Sequence, residues 1–195
     1  MIKTLFSIRN IIVTSIACSI TVWGNAPLKA KAHAHGFKDA KIEGQIEFVQ
    51  KDSAVALSGE IHGLTPNGIY AMHVHTFGDC NDPDAPGPHF DPMETKKHGN
   101  PEGHEMHHAG DLPNITADKN GVGKIEFQSK NFSLSGNAAI VGRSVVIHEK
   151  ADDYTSQPAG ASGARIACGV IGLTKSETIV IKADSSATKM APVKK

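Results

Sequence analysis

Seven of the eleven histidines fall between His73 and Asp111, in the runs "HVH", "GPHFDP", "KKHGNP" and "HEMHHAGD", and another follows at His148 in "VVIHEK". A neutral imidazole offers a borderline metal one nitrogen lone pair, and Asp111 adds a carboxylate oxygen; together these donors suit copper and zinc. The cluster therefore reads as a two-metal site. Any one of these histidines alone would read as a surface or hydrogen-bonded residue. The joint pattern carries the metal reading, because such a site needs many ligands at fixed places.

Those side chains must be held by something rigid. His73 and His75 alternate with Met72 and Val74 in "IYAMHVHTFG", so in a strand both imidazoles leave one face. The histidines that follow come from Gly-, Pro- and Asp-rich loop sequence, and His148 ends the apolar alternation of "RSVVIHEK". Strand signals dominate elsewhere. "KIEGQIEFVQ" aligns Ile42, Ile46 and Phe48 on one face with Gly44 between them, and "AVALSGEIHGL" aligns Val55, Leu57 and Ile61. Further strands are predicted in "GKIEFQSKNF", "AIVGRSVVIHE" and "RIACGVIGLT", separated by turn signals such as Pro66-Asn67-Gly68 and Lys119-Asn120-Gly121. No segment has a helical period. The expectation is all-β: an antiparallel sandwich or flattened barrel, interrupted by two long polar loops at about 78–114 and 150–164.

Residues 1–32 read as an export signal. Lys3 and Arg9 precede the apolar stretch "IIVTSIACSITVW", and Ala30-Lys31-Ala32 offers small residues for cleavage. A stretch of thirteen residues is short for a membrane span, so a retained anchor is the weaker alternative. A lipoprotein cleaved before Cys18 is another, although Ser15 stands where an aliphatic residue would be wanted. Removing the leader leaves Cys80 and Cys168 as an even pair in a compartment where disulfides persist, so they are expected to be bonded. It also removes Lys3, Arg9, Lys29 and Lys31 and no acid, moving the balance of basic to acidic residues from 20 against 20 to 16 against 20. A mildly acidic chain without a basic stripe argues against a nucleic-acid partner.

The blocks "HVHTFGDC", "GPHFDP", "KKHGNP", "HHAGDLPNITADKNG", "SVVIHEKADDY" and "GARIACGVIG" together closely resemble copper/zinc superoxide dismutase, of the exported bacterial kind. The resemblance implies a Greek-key antiparallel β-barrel or immunoglobulin-like sandwich over 41–175, with one copper and one zinc per chain. It implies copper ligands His73, His75, His89 and His148, and zinc ligands His89, His98, His108 and Asp111, His89 being the bridge. The family pattern His-x-Gly-Asp selects His108 over its neighbour His107. Asp152 matches a carboxylate that joins His73 to His98, and Arg165 matches an arginine beside copper that attracts the anion. His89 is expected to pass a proton during turnover. Lys96, Lys97 and Lys150 are candidates to add positive potential.

Outside these matches, His104 and His107, like His33 and His35 in the stretch 33–40, read as surface histidines able to load metal, and His62 as a hydrogen-bonded strand histidine. Residues 176–195 read as an extension with one more strand followed by disorder. The implied activity is conversion of superoxide to oxygen and hydrogen peroxide in the periplasm, with no membrane span in the mature chain and either a monomer or a homodimer. Two other classes compete: a copper-binding or metallochaperone module, and a structural sandwich. Neither needs the complete ligand set.

Overall fold

A computed structural model describes residues 27–38 and 40–175. Nine strands occur among them and no helix: β1 Lys29–Gly36, β2 Glu43–Lys51, β3 Ala54–His62, β4 Ile69–Tyr70, β5 Met72–His75, β6 Ile115–Thr116, β7 Gly123–Ser129, β8 Ser144–His148 and β9 Arg165–Leu173. Seven form one antiparallel sheet in the order β5-β8-β9-β1-β2-β3-β7, and β4 pairs with β6. The non-consecutive neighbours β3–β7 and β5–β8 give the winding of a Greek-key barrel. The sheet curls around its apolar face as strand twist accumulates.

Period-two alternation explains that face. Ile46 and Phe48 of β2 and Val55, Leu57 and Ile61 of β3 are all buried, whereas Glu43, Gln45 and Glu60 point to solvent. Phe132, Leu112 and Ile140 close the interior from the loops. Burying each such side chain stabilises the fold by about 1.5 to 3 kcal/mol. The expected turns are present: Asn67 and Gly121 take positive φ, 61° and 76°, and Asp118 Oδ1 accepts hydrogen bonds from the backbone N–H groups of Asn120 and Val122.

The N-terminal boundary differs from the sequence expectation. β1 runs across the proposed cleavage point after Ala32, pairing with β2 on one side and β9 on the other. Ala30, Ala32 and Ala34 are fully buried on its inner face, and His33 and His35 are exposed on its outer face. Residues 33–36 therefore belong to a central strand and not to an extension. Cleavage after Ala32 would remove half of that strand. The inward residues are all alanine, whose hydrophobic contrast is too weak to mark a core strand in the sequence. The stretch "AIVGRSVVIHE" yields a strand only from Ser144. Cys18, the apolar leader and the predicted C-terminal strand lie outside the described residues. No helix among the described residues is long and apolar enough to cross a membrane.

Candidate metal centre

Strand β5 sets the floor of the site. Its pairing with β8 places His73 opposite Val146 and His75 opposite Ser144. A register shift between Ile147 and His148 lets β8 end with His148 facing Arg165 of β9; such irregularities re-aim a side chain. The loop after β5 folds back against it. Val74 donates its N–H to Gly110 O, Gly110 to Phe90 O and Phe90 to Val74 O, each at 2.8 Å. This backbone triad brings His89 beside His75 and Asp111 beside His73.

Ligand atoms of His73, His75, His89 and His148 all lie within 4.8 Å of one another, and all four residues are buried. Their other ring atoms are already engaged. His73 Nε2 donates to Asp152 Oδ2 at 2.8 Å, His75 Nδ1 to Gly87 O at 2.8 Å, and His148 Nδ1 lies 3.1 Å from Ser162 Oγ. That leaves His73 Nδ1 and His89 Nε2 buried without a partner, while His75 Nε2 and His148 Nε2 stand 3.4 Å apart. Buried polar nitrogens are seldom orphaned. Two orphans beside two facing imidazole nitrogens form a site fit for a cation, and four nitrogen donors suit copper.

The second cluster centres on Asp111 Oδ1, with Nδ1 of His89, His98 and His108 at 2.9, 3.0 and 3.3 Å. Asp111 Oδ2 is held separately by the N–H groups of Gly99 and His108. Atoms of His73, His89, His98 and Asp111 also lie within 4.8 Å of one another. However, Nε2 of His73 is committed to Asp152, so His108 completes the better set. Three nitrogens and one carboxylate oxygen suit zinc. His89 is common to both clusters, with Nδ1 toward Asp111 and Nε2 toward the other three histidines.

Electrostatics separates the histidines. Burial lowers His89 to about 4, outweighing its hydrogen bond to Asp111, and lowers His148 to about 3, helped by His73. Burial also lowers His73 and His75. These rings stay neutral and keep a lone pair. At His98 burial is overcome by hydrogen bonds to Asp111 and Asp152, which raise it to about 9. Asp111 is itself held far below the usual carboxylate range: burial opposes this, but hydrogen bonds from His108, His89 and His98 prevail. With both ring nitrogens donating, His98 must lose a proton when a metal takes Nδ1.

Asp152 joins the halves, accepting from His73 Nε2 and His98 Nε2 through different oxygens, both at 2.8 Å. Its own loop is tied down by residues that sequence reading missed. Asn114 exchanges two hydrogen bonds with the Asp152 backbone. The Gln157 amide brackets the backbone of His98, accepting from its N–H and donating to its C=O, both at 2.8 Å. Nothing local in the sequence marks these contacts, which span 38 and 59 positions.

A cavity of about 770 Å³ opens onto His89, His148, Ser162 and Arg165. Arg165 donates to Pro83 O at 2.8 Å and Gly87 O at 2.6 Å. The disulfide Cys80–Cys168 ties that same loop to β9, as expected. Among the described residues Arg165 is the only Lys or Arg lining this cavity; Lys96 and Lys97 line a neighbouring one, and Lys150 is exposed outside both. His104 is exposed, His107 is half-buried and hydrogen-bonded to His108 O at 2.8 Å. His62 is exposed, its Nε2 3.7 Å from Glu60 Oε2, beyond hydrogen-bond reach where a hydrogen bond was expected.

Residues 42–171 match the family described as copper/zinc superoxide dismutase. The chain is 43% identical over 157 residues to the copper/zinc superoxide dismutase of Candida albicans, covering 76% of this chain and 99% of that one. It is 42% identical to copper/zinc superoxide dismutase 3 of Arabidopsis thaliana, covering 71% and 87%. It is 40% identical to the extracellular copper/zinc superoxide dismutase of Brugia pahangi, covering 70% and 72%. The crystal structure of the clock protein EA4 superposes with a TM-score of 0.68 at 41% identity, covering 76% of this chain and 96% of that one. These relatives are eukaryotic, so they speak for the family and not for a bacterial exported subtype. With two histidine clusters sharing His89 inside an antiparallel barrel, and with this breadth of likeness, the chain belongs to the copper/zinc superoxide dismutase family.

Proposed function

We propose that this protein is an exported superoxide dismutase, of the kind bacteria send to the periplasm, converting two superoxide ions and two protons to oxygen and hydrogen peroxide. The observation that carries the reading is the sharing of His89: one imidazole faces both clusters, and its residue lines a cavity that Arg165 also lines. Copper would be held by His73 Nδ1, His75 Nε2, His89 Nε2 and His148 Nε2, and zinc by His89 Nδ1, His98 Nδ1, His108 Nδ1 and Asp111 Oδ1. Copper when bound supplies a centre that accepts one electron and returns it, whereas zinc supplies fixed charge.

The chain's residues do the rest. Arg165, fastened to three backbone carbonyls, presents a permanent positive charge to an anion entering the cavity. His89 lines that cavity, and its Nε2, buried with no hydrogen-bond partner, is the atom placed to hold and release a proton. Asp152 keeps the rings of His73 and His98 from rotating. Lys96, Lys97 and Lys150 contribute only to the longer-range field.

Export is supported by the charged and apolar leader and by the disulfide. A mature start at or before Lys29 fits the buried Ala30 and Ala32 better than a start at residue 33. Association as a homodimer is supported by the exposed apolar side chains of Phe77 and Val170 beside Gly78, where an added Cβ would meet Gly142 O and Val170.

Bound copper and zinc, measured with dismutase activity in protein recovered from the exported fraction, test the reading. Both metals with activity are expected. Copper without activity would favour a metallochaperone, and neither metal a structural sandwich. Phe77→Glu should shift a dimer to monomer in analytical ultracentrifugation; an unchanged sedimentation coefficient would remove that interface.

A further inference from the structure

Loop residues Gly160 to Gly163 coil tightly: Gly160, Ala161 and Gly163 all take positive φ, 64°, 52° and 75°. Between them Ser162 is only 2% exposed. Its backbone is pinned alongside the end of β8, with Lys150 N–H donating to Ser162 O at 2.9 Å and Glu149 N–H to Ala164 O at 2.8 Å. At Gly160 an added Cβ would collide with Asp152 Oδ1 and His98 Nε2, so the coil is packed directly against the carboxylate that joins the two clusters.

This geometry aims the Ser162 hydroxyl at one atom, His148 Nδ1, 3.1 Å away. The alternative acceptor, Gly163 O, stands at 3.4 Å, long for a bond between nitrogen and oxygen. When His148 Nε2 is given to a metal, Nδ1 must carry the hydrogen, and the better-placed acceptor is a side chain. We propose that Ser162 is a positioning residue for copper: its Oγ accepts from His148 Nδ1–H, fixing the tautomer and the ring orientation that present Nε2 to the metal. The inference rests on the assignment of His148 as a copper ligand. It goes beyond that assignment by naming the group that holds the ligand.

The other three rings facing the copper position are each held by an acceptor that a side-chain change there cannot remove, or that serves another ring. His75 has Gly87 O, His73 has Asp152, and His89 has the zinc cluster around Asp111. His148 alone has a serine hydroxyl as its closest second partner. Losing it should therefore affect copper and spare zinc. Partners of this kind change metal affinity by about 10- to 100-fold when removed.

The test compares the full-length copper- and zinc-loaded protein with Ser162→Ala and Ser162→Gly, the glycine variant guarding against a folding failure of the first. Copper affinity is measured by chelator competition, zinc retention in parallel, and the His148 Nδ1–H signal by NMR in the diamagnetic Cu(I), Zn(II) form. Both variants are expected to bind copper about tenfold more weakly, to keep zinc at the parent level and to show faster exchange of that Nδ1 proton. Parent-like copper affinity with a protected proton would overturn the proposal, as would equal weakening of copper and zinc. His148→Ala separates the two levels: if it keeps parent copper affinity, the ligand assignment has failed; if it loses copper while the Ser162 variants do not, only the role of Ser162 has.

Discussion

Asp152 stands 2.8 Å from His98, Oδ1 to Nε2, while its other oxygen receives His73 Nε2 at the same distance. One carboxylate thus orients a ring from each cluster, and the carboxylate is buried. Asp152→Ala should loosen both rings and lower zinc and copper affinity by about 10- to 100-fold. Chelator titration of the purified variant checks this, and unchanged affinity for both metals would show that the rings are held by packing alone.

His89→Ala should lose both metals, because its two nitrogens face different clusters. His98→Ala should mainly release zinc, since no atom of His98 faces the copper position. Metal content of the two purified variants decides between these outcomes. Equal loss from both, or none from His89→Ala, would remove His89 as the bridge.

Arg165→Leu should retain copper and zinc, lower the superoxide rate substantially and weaken azide or cyanide binding, since guanidinium has no lone pair for a metal but attracts anions. Arg165→Lys should recover part of the rate by restoring charge without the planar fork. A parent-like rate for Arg165→Leu across a range of ionic strength would return Arg165 to the role of a loop fastener.

Stability of the metal-free protein should peak near neutral pH. The raised His98 contributes fully below its ordinary value of 6.5 and loses that contribution as pH climbs through about 9. The depressed His89 and His148 contribute fully above 6.5 and lose it as pH falls toward about 4 and about 3. Urea unfolding of the metal-free form between pH 4 and 10 measures the profile; a monotonic rise to pH 10 would contradict the His98 ion pairs.

Intact mass should show an N-terminus at or before Lys29 and a bonded Cys80–Cys168 pair. Reduction should destabilise the protein, by chain entropy worth about 4 to 5 kcal/mol for a loop of this size. An N-terminus at residue 33 in a stable protein would show that β1 can be shortened, and one at a lipid-bearing Cys18 would mean an anchored lipoprotein.

The donor set and the strand character were legible in the sequence because both are local. Alternation at His73 and His75, at Ile46 and Phe48 and at Leu57 and Ile61 fixes which side chains share a face, and side-chain chemistry fixes what the cluster can bind. The metal-bearing loop announces itself through its histidines. Tertiary structure alone decided which atom of each ring is free, because that depends on partners such as Gly87 O, Asp152 and Ser162, drawn from distant segments and often from the backbone. The same holds for the clamp of Gln157 on His98 and the carbonyl cradle of Arg165. It placed β1 at the centre of the sheet as well: alanines at 30, 32 and 34 carry too little hydrophobic contrast to mark a core strand, and only pairing with β2 and β9 shows that they are buried.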